Sequence, residues 1–188
     1  MDIFEIKRKA FHIIMGLVLI ALIYYDILNW VSLSVLIILT LLGSFIIRRY
    51  DLKPISWFLK HFERKKNIEK FPAKGVVFFL TGALLSLILF DKDIALAGLL
   101  ILTFGDGVSA LVGIHYGRIK HPFSNIKFIE GHIAGMIAAV IALSMVSYYN
   151  IISITLLEAV IASTIAIFAE GIELKMHLDL TDDNIIIP

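Results

Sequence analysis

The 188-residue chain has no cysteine, so it has no disulfide framework and no thiolate chemistry. Charge is scarce: Asp, Glu, Lys and Arg make up 18% of the residues and sum to a net +1. A balance so near neutrality argues against nucleic acid as the main partner. Familiar phosphate and hydrolase signatures are missing too. There is no Walker A sequence, no kinase glycine loop with its partners, no H-E-x-x-H and no G-x-S-x-G. Phosphate binding by a soluble NTPase scaffold is thereby excluded. The first apolar run follows Lys7-Arg8-Lys9 as a signal peptide would, but no A-x-A site comes after it; it ends in Ile23-Tyr24-Tyr25-Asp26. The run is read as a retained first helix.

Apolar residues are abundant, at 59% of the chain, and mean hydropathy is +0.91. Soluble domains of this length carry far more polar surface. Several apolar runs approach the ~20 residues needed to cross a bilayer. The expected fold is an all-α integral membrane protein, one domain over 1–188, with about six transmembrane helices. The runs lie near 10–25, 28–47, 75–90, 94–114, 131–148 and 156–174. The fourth is expected to be broken at Gly105-Asp106-Gly107. Thr155 and Glu158 have capping-box spacing at the start of the sixth, which places Glu158 at an interface. The Gly131, Gly135 and Ala139 row predicts close helix packing.

Of the 17 Lys and Arg, only Lys92 falls on the outer side if the N-terminus is cytoplasmic. The positive-inside rule then puts both ends, and a basic loop over 48–74, in the cytoplasm. That loop mixes Trp57, Phe58, Leu59 and Phe62 with Lys60, His61, Arg64, Lys65 and Lys66. It reads either as an amphipathic helix at the headgroups or as a solvated basic loop.

The polar residues that need a reason all map to one face. Glu5, Arg8, Lys9 and His12 share one side of a helix. They form an interfacial anchor with snorkelling side chains or a phosphate site. Asp106, in "LTFGDGVSALVGIHYG" (102–117), lies inside a span. An intramembrane carboxylate marks a functional site or is paired with an internal Lys or Arg. Gly105 and Gly107 let the helix unwind or another group come close. Lys127, Glu130 and Gly131 stand at the mouth of the fifth span, Glu170 and Glu173 end the sixth, and Asp182, Asp183 and Asn184 follow. Acids that share a site need neutralising. Neighbouring bases do this, and so does Mg²⁺, which takes carboxylate and phosphate oxygens together.

Four stretches in order, "EIKRKAFH" (5–12), "GDGVSALVGIHYG" (105–117), "KFIEG" (127–131) and "AEGIE…DDNIIIP" (169–188), resemble the polyprenol kinase family. That family includes dolichol, phytol and farnesol kinases and the CTP-dependent diacylglycerol kinase of yeast type. The resemblance implies transfer of the γ-phosphoryl of a nucleotide, usually CTP, to a membrane lipid alcohol. It carries nucleotide binding onto Arg8, Lys9, His12, Gly105, Gly113, Gly117, Lys127, Gly131 and Asn184. It carries catalysis onto Asp106, Glu130 and Lys127. It carries Mg²⁺ onto Asp106, Glu130, Asp182 and Asp183, with Glu170 a further candidate. Phe128 and His132 stand where the family often has Ser or Thr. Relatives often continue past the position of Pro188, so the chain is expected to be a minimal member or to be completed by a partner chain, such as a homo-oligomer provides. Asp106 has two competing roles, metal ligand and proton acceptor. The alternatives are a kinase for geranylgeraniol, phytol or diacylglycerol, a CTP-dependent cytidylyltransferase acting on a lipid phosphate, and a small transporter with a broken helix.

Overall fold

A computed structural model describes residues 3–50, 53–122, 124 and 127–171. Asp182, Asp183 and Asn184, with Glu173 and Pro188, lie outside the described residues. Among the described residues the secondary structure is helical, with one isolated bridge between Lys120 and Phe128 and no strand. The helices are α1 (Ile3–Tyr24), α2 (Trp30–Arg49), α3 (Lys53–Phe62), α4 (Lys65–Lys70), α5 (Lys74–Leu89), α6 (Lys92–Leu100), α7 (Gly107–Tyr116), α8 (Ile129–Tyr148) and α9 (Leu156–Gly171). Three helical stretches are long and apolar enough to cross a membrane: Trp30–Arg49, Lys92–Tyr116 and Ile129–Tyr148. Lys74–Leu89 is a shorter apolar helix. The chain is an α-helical, multi-pass membrane protein.

The break expected at Gly105-Asp106-Gly107 is corrected by the structure. Lys92–Tyr116 runs on as one helix of 25 residues, and α6 passes into α7 through a π-helical segment, Ile101–Asp106. The glycines do not unwind the backbone because neighbouring helices occupy the clearance they leave. A Cβ at Gly107 would sit 2.5 Å from Cγ1 of Ile13, and one at Gly105 would sit 2.6 Å from Cδ1 of Ile167. The wide turn keeps backbone donors and acceptors paired along the helix, which hydrocarbon demands.

The core is built on that helix. Leu96, Leu99 and Leu102 are fully buried, with Leu33, Ala83, Ala139, Leu143 and Ala159 contributed by four other helices. α8 packs against the π segment and α7 through small residues. A Cβ at Gly131 would meet the Ser109 carbonyl oxygen at 2.5 Å, and one at Gly135 would meet that of Gly105 at 2.5 Å. The expected small-residue row is thus a close crossing, continued by buried Ala139. Outward-facing apolar side chains such as Ile137, Ile141, Ile161 and Ile165 remain exposed on α8 and α9. Hydrocarbon is their fitting solvent.

Caps define several ends. Asn29 accepts from the N–H groups of Val31 and Ser32, and Ser32 reciprocates to the Asn29 N–H, closing a capping box on α2. The box expected at α9 is present: Glu158 accepts from the Thr155 N–H at 2.8 Å, and Thr155 Oγ1 accepts from the Glu158 N–H at 3.3 Å. Lys92, the single base expected outside, donates to the Tyr24 carbonyl at 2.9 Å and to Asp26 at 2.6 Å. Asp93 accepts from the Ser153 N–H at 3.0 Å. The α1–α2 and α8–α9 turns each use a left-handed residue, Asp26 and Asn150, types that tolerate that region.

The segment between α2 and α5 contains two short helices, α3 and α4. α3 has Trp57 exposed and Leu59 buried. Ser44 Oγ on α2 donates to the Pro72 carbonyl at 2.6 Å, clamping the segment's far end against α2. Glu63 lies buried behind α3. It accepts from Asn67 and from the backbone N–H groups of Ala73 and Gly75, which holds Ala73 in its left-handed conformation, φ 60°. Burial raises the Glu63 carboxyl above the usual carboxylate range, against these hydrogen bonds.

Gly135→Val drives a side chain into backbone and is expected to destabilise the protein by about 1–3 kcal/mol. Gly43→Ala, where no atom lies within 4 Å of the added Cβ, is expected to leave thermal unfolding in detergent unchanged. The raised Glu63 carboxyl stabilises the fold fully below the ordinary carboxylate range and loses that contribution as pH rises through its folded value. Glu63→Gln is therefore expected to lack this pH step and to unfold at a higher temperature than the parent at neutral pH. A parent-like pH profile in the variant contradicts the assignment.

Candidate functional site

One helix crossing builds the site. On α1, Lys9, His12, Ile13 and Gly16 recur at helical spacing and face the π segment. Gly16 lets Thr103 close in: a Cβ there would collide with Thr103 Oγ1. Ile13 fills the space left by Gly107. One α-helical turn towards the N-terminus, that geometry sets Lys9 against Asp106. Lys9 Nζ donates to both Asp106 oxygens at 2.6 Å. His12 Nε2 is 3.8 Å from Asp106 Oδ2, and its ring meets Phe79 edge-on at 5.1 Å. Lys9 is 9% exposed and Asp106 7%. A buried carboxylate next to a buried ammonium is retained as an ion pair because either charge alone would be desolvated without compensation.

Lys127 is the third cation. It reaches this end of the bundle on the connection after α7, where Lys127 N–H donates to Ser124 Oγ at 3.1 Å. Its Nζ donates to the Glu170 carbonyl at 2.7 Å and to Glu170 Oε1 at 2.9 Å, near the end of α9. Glu170 is 4% exposed. The Lys127 charge is close enough to act on Asp106. Lys9, His12, Asp106, Lys127 and Glu170 therefore form one cluster of alternating charge, contributed by α1, the π segment, the 117–128 connection and α9.

Other expected site residues lie apart from these contacts. Arg8 donates through Nε and Nη2 to Glu5 Oε2 at 2.9 and 2.8 Å, and Arg64 donates to Glu5 Oε1 at 3.0 Å. Glu5 thus ties α1 to the start of α4. Glu130 accepts from the N–H groups of Arg118 and Ile119 at 3.1 Å, fixing the chain reversal after α7. Gly113 lies against Gly131 at the α7–α8 crossing, and Gly117 lies under the Phe128 ring. Among the described residues, no three His, Asp or Glu side chains come together as metal ligands do. The sequence reading missed Thr103, the packing partner of Gly16, because a threonine in an apolar run carries no signal of its own. It also missed the stacked rings of His121 and His132, 4.4 Å apart.

Comparison with known proteins bears on this cluster. An uncharacterised protein of Methanocaldococcus jannaschii is 28% identical over 186 residues, covering 98% of this chain and 88% of that protein. CTP-dependent diacylglycerol kinase 1 of Saccharomyces cerevisiae is 29% identical over 150 residues, covering 73% of this chain and 48% of that protein. Phytol kinase 1, chloroplastic, of Arabidopsis thaliana is 26% identical over 153 residues, covering 76% and 49%. These similarities support a lipid kinase-like function. The chain spans about half the length of the two named kinases. No family model matches the chain, and no solved structure matches it.

Removing one member of the buried pair exposes the other. Lys9→Met is expected to destabilise the protein by about 3–5 kcal/mol, read as a fall in unfolding temperature. Adding Asp106→Leu to Lys9→Met is expected to recover most of that loss. If the double variant is no more stable than the single one, the pair is not the coupling that the distances indicate.

Proposed function

We propose that the chain is a lipid-alcohol kinase that transfers the γ-phosphoryl of CTP to the hydroxyl of a polyprenol (dolichol-type) lipid. The observation that carries the reading is the buried cluster Lys9–Asp106–His12 with Lys127 beside it, in a chain similar to two lipid kinases. Our topology makes α1, α2, α5, Lys92–Tyr116, α8 and α9 six spans, with both ends and the basic 48–74 segment in the cytoplasm. The cluster then opens where a water-soluble nucleotide and a lipid hydroxyl meet.

Phosphoryl transfer requires position and charge neutralisation above all. The lipid oxygen attacks the γ-phosphorus, the bond to the β–γ bridging oxygen breaks, and CDP leaves with that oxygen. Lys9 and Lys127 bind phosphate oxygens, with Arg8 and His12 flanking them. When the triphosphate draws Lys9 away, Asp106 is released to accept the hydroxyl proton. The glycines Gly105, Gly113, Gly117 and Gly131 serve by allowing the close crossings behind the cluster, and Glu130 by fixing the connection that carries Lys127.

Mg²⁺ fits this donor set only as an ion that arrives with the nucleotide. Such an ion needs one or two carboxylates and takes its remaining oxygens from phosphate and water. Asp106 and Glu170 are the buried carboxylates of this cluster, and each is held by a lysine that the triphosphate would attract. The ion supplies neutralisation of triphosphate charge. Asp182, Asp183 and Asn184 are proposed to complete the nucleotide site.

The test incubates purified protein with Mg²⁺, γ-labelled CTP, ATP or UTP, and a panel of lipid alcohols: dolichol, geranylgeraniol, phytol and diacylglycerol. Label is expected in a lipid monophosphate with CDP as co-product, highest with polyprenol and CTP. Asp106→Asn, which keeps a hydrogen-bond acceptor for Lys9, is expected to lower the rate by about 10²-fold or more when compared at equal amounts of folded protein. Pyrophosphate and a CDP-lipid as products would establish a cytidylyltransferase instead, and full activity of the variant would remove Asp106 from the chemistry.

A further inference from the structure

A second polar site lies away from the Lys9–Asp106 cluster. Where α2 ends, the α3–α4 segment folds back and leaves a cavity of about 440 Å³ lined by Ile47, Arg48, Arg49, Leu59, Lys60, Ile68, Glu69 and Pro72. None of these residues belongs to the cluster around Asp106. The floor is apolar: Leu59 and Pro72 are buried, and Ile47 and Ile68 are half-buried. The rim carries two guanidinium groups and one ammonium, against the single carboxylate of Glu69. Arg64 and Arg8, which also meet this segment, are both engaged by Glu5. Arg48, Arg49 and Lys60 make no ion pair and no side-chain hydrogen bond among the described residues.

Position supplies the second argument. Arg48 and Arg49 close the apolar run of α2, whose Phe45 and Ile46 are exposed. The cavity therefore opens at the depth where acyl chains give way to headgroups. Two arginines present forked donors that match phosphate oxygens, and a lysine adds a compact charge. An apolar floor beneath a ring of cations suits a ligand that is a phosphate at one end and hydrocarbon at the other. A freely soluble phosphate would use the ring and leave the floor empty.

We propose that this cavity binds the headgroup phosphate of an anionic phospholipid, separately from the substrate site. The lipid seats the 48–74 segment against the bilayer, which positions Arg64 and, through Glu5, the start of α1 that bears Lys9.

The chain has a built-in reporter. It holds two tryptophans, and Trp57 lies one turn before Lys60 on α3, exposed and with its ring tilted against that of His61, centroids 4.3 Å apart. The intact protein with Trp30→Phe is placed in phosphatidylcholine nanodiscs containing either brominated phosphatidylglycerol or brominated phosphatidylcholine at equal fraction. The anionic lipid is expected to quench Trp57 with an apparent affinity about tenfold or more above the zwitterionic one, since each interfacial base contributes about a factor of five. The triple change Arg48→Gln, Arg49→Gln and Lys60→Gln is expected to abolish the preference. A control triple change, Lys53→Gln, Lys65→Gln and Lys70→Gln, removes the same charge from the same segment outside the cavity and is expected to keep most of it. Equal loss in both triple variants overturns the site, because a diffuse basic surface would then explain the preference. Equal quenching by both lipids overturns it as well. Protection of Trp57 by soluble glycerol 3-phosphate or inorganic phosphate, without anionic lipid enrichment, overturns the lipid as ligand. None of these readouts depends on kinase activity, so this proposal and the proposed function fail separately.

Discussion

The ion pair between Lys9 and Asp106 is the constraint around which the described structure is arranged. Two opposite charges in an apolar bundle attract strongly only when nothing wet lies between them, and each is costly if stranded. Holding them at 2.6 Å demands a close approach of α1 to the π segment. Gly16 and Gly107 supply it, accepting Thr103 and Ile13 where larger residues would push the helices apart. The same demand passes to α8, whose Gly131 and Gly135 bring it against the opposite side of the helix that bears Asp106. Small residues in three helices are thus consequences of one electrostatic requirement.

A second layer of polar contacts works at lower depth and smaller energy. Glu5 holds Arg8 and Arg64 together, Glu63 caps the entry to α5, and Glu130 fixes the reversal after α7. Each of these carboxylates is spent on backbone or on arginine, which leaves Asp106 and Glu170 as the pair whose partners are lysines within the cluster. Lysine is a mobile point charge on a flexible stem. An arriving polyanion can therefore recruit it without dismantling a helix.

Much of this was legible in the sequence, and the reasons are specific. Apolar runs locate the helices because the membrane forces long uniform segments. Thr155 and Glu158 announce a helix start because a capping box is a local device. Asp106 stands out because a carboxylate in hydrocarbon is rare. Its partner was not legible: Lys9 lies 97 residues away, and helical spacing sets it apart from Lys7 but not from Arg8 on the same face. The glycines beside Asp106 suggested a break, yet a glycine serves equally as a place where another helix comes close, and only the neighbours decide which. Glu130 reads as a ligand by motif, while its hydrogen bonds to Arg118 and Ile119 depend on a chain reversal that composition does not encode.

The π segment has an effect beyond its own six residues. A π turn amounts to one residue inserted into an α-helix, and each α-helical residue turns the chain by about 100°. The insertion therefore rephases the helix: α6 addresses the core with one azimuth and α7 addresses α8 with another. Wound as regular α-helix without the wide turn, the same residues would set every side chain of α7 about 100° away around the axis. The two halves of one membrane helix are thus set independently, like two dials on a common spindle, with Asp106 at the collar between them.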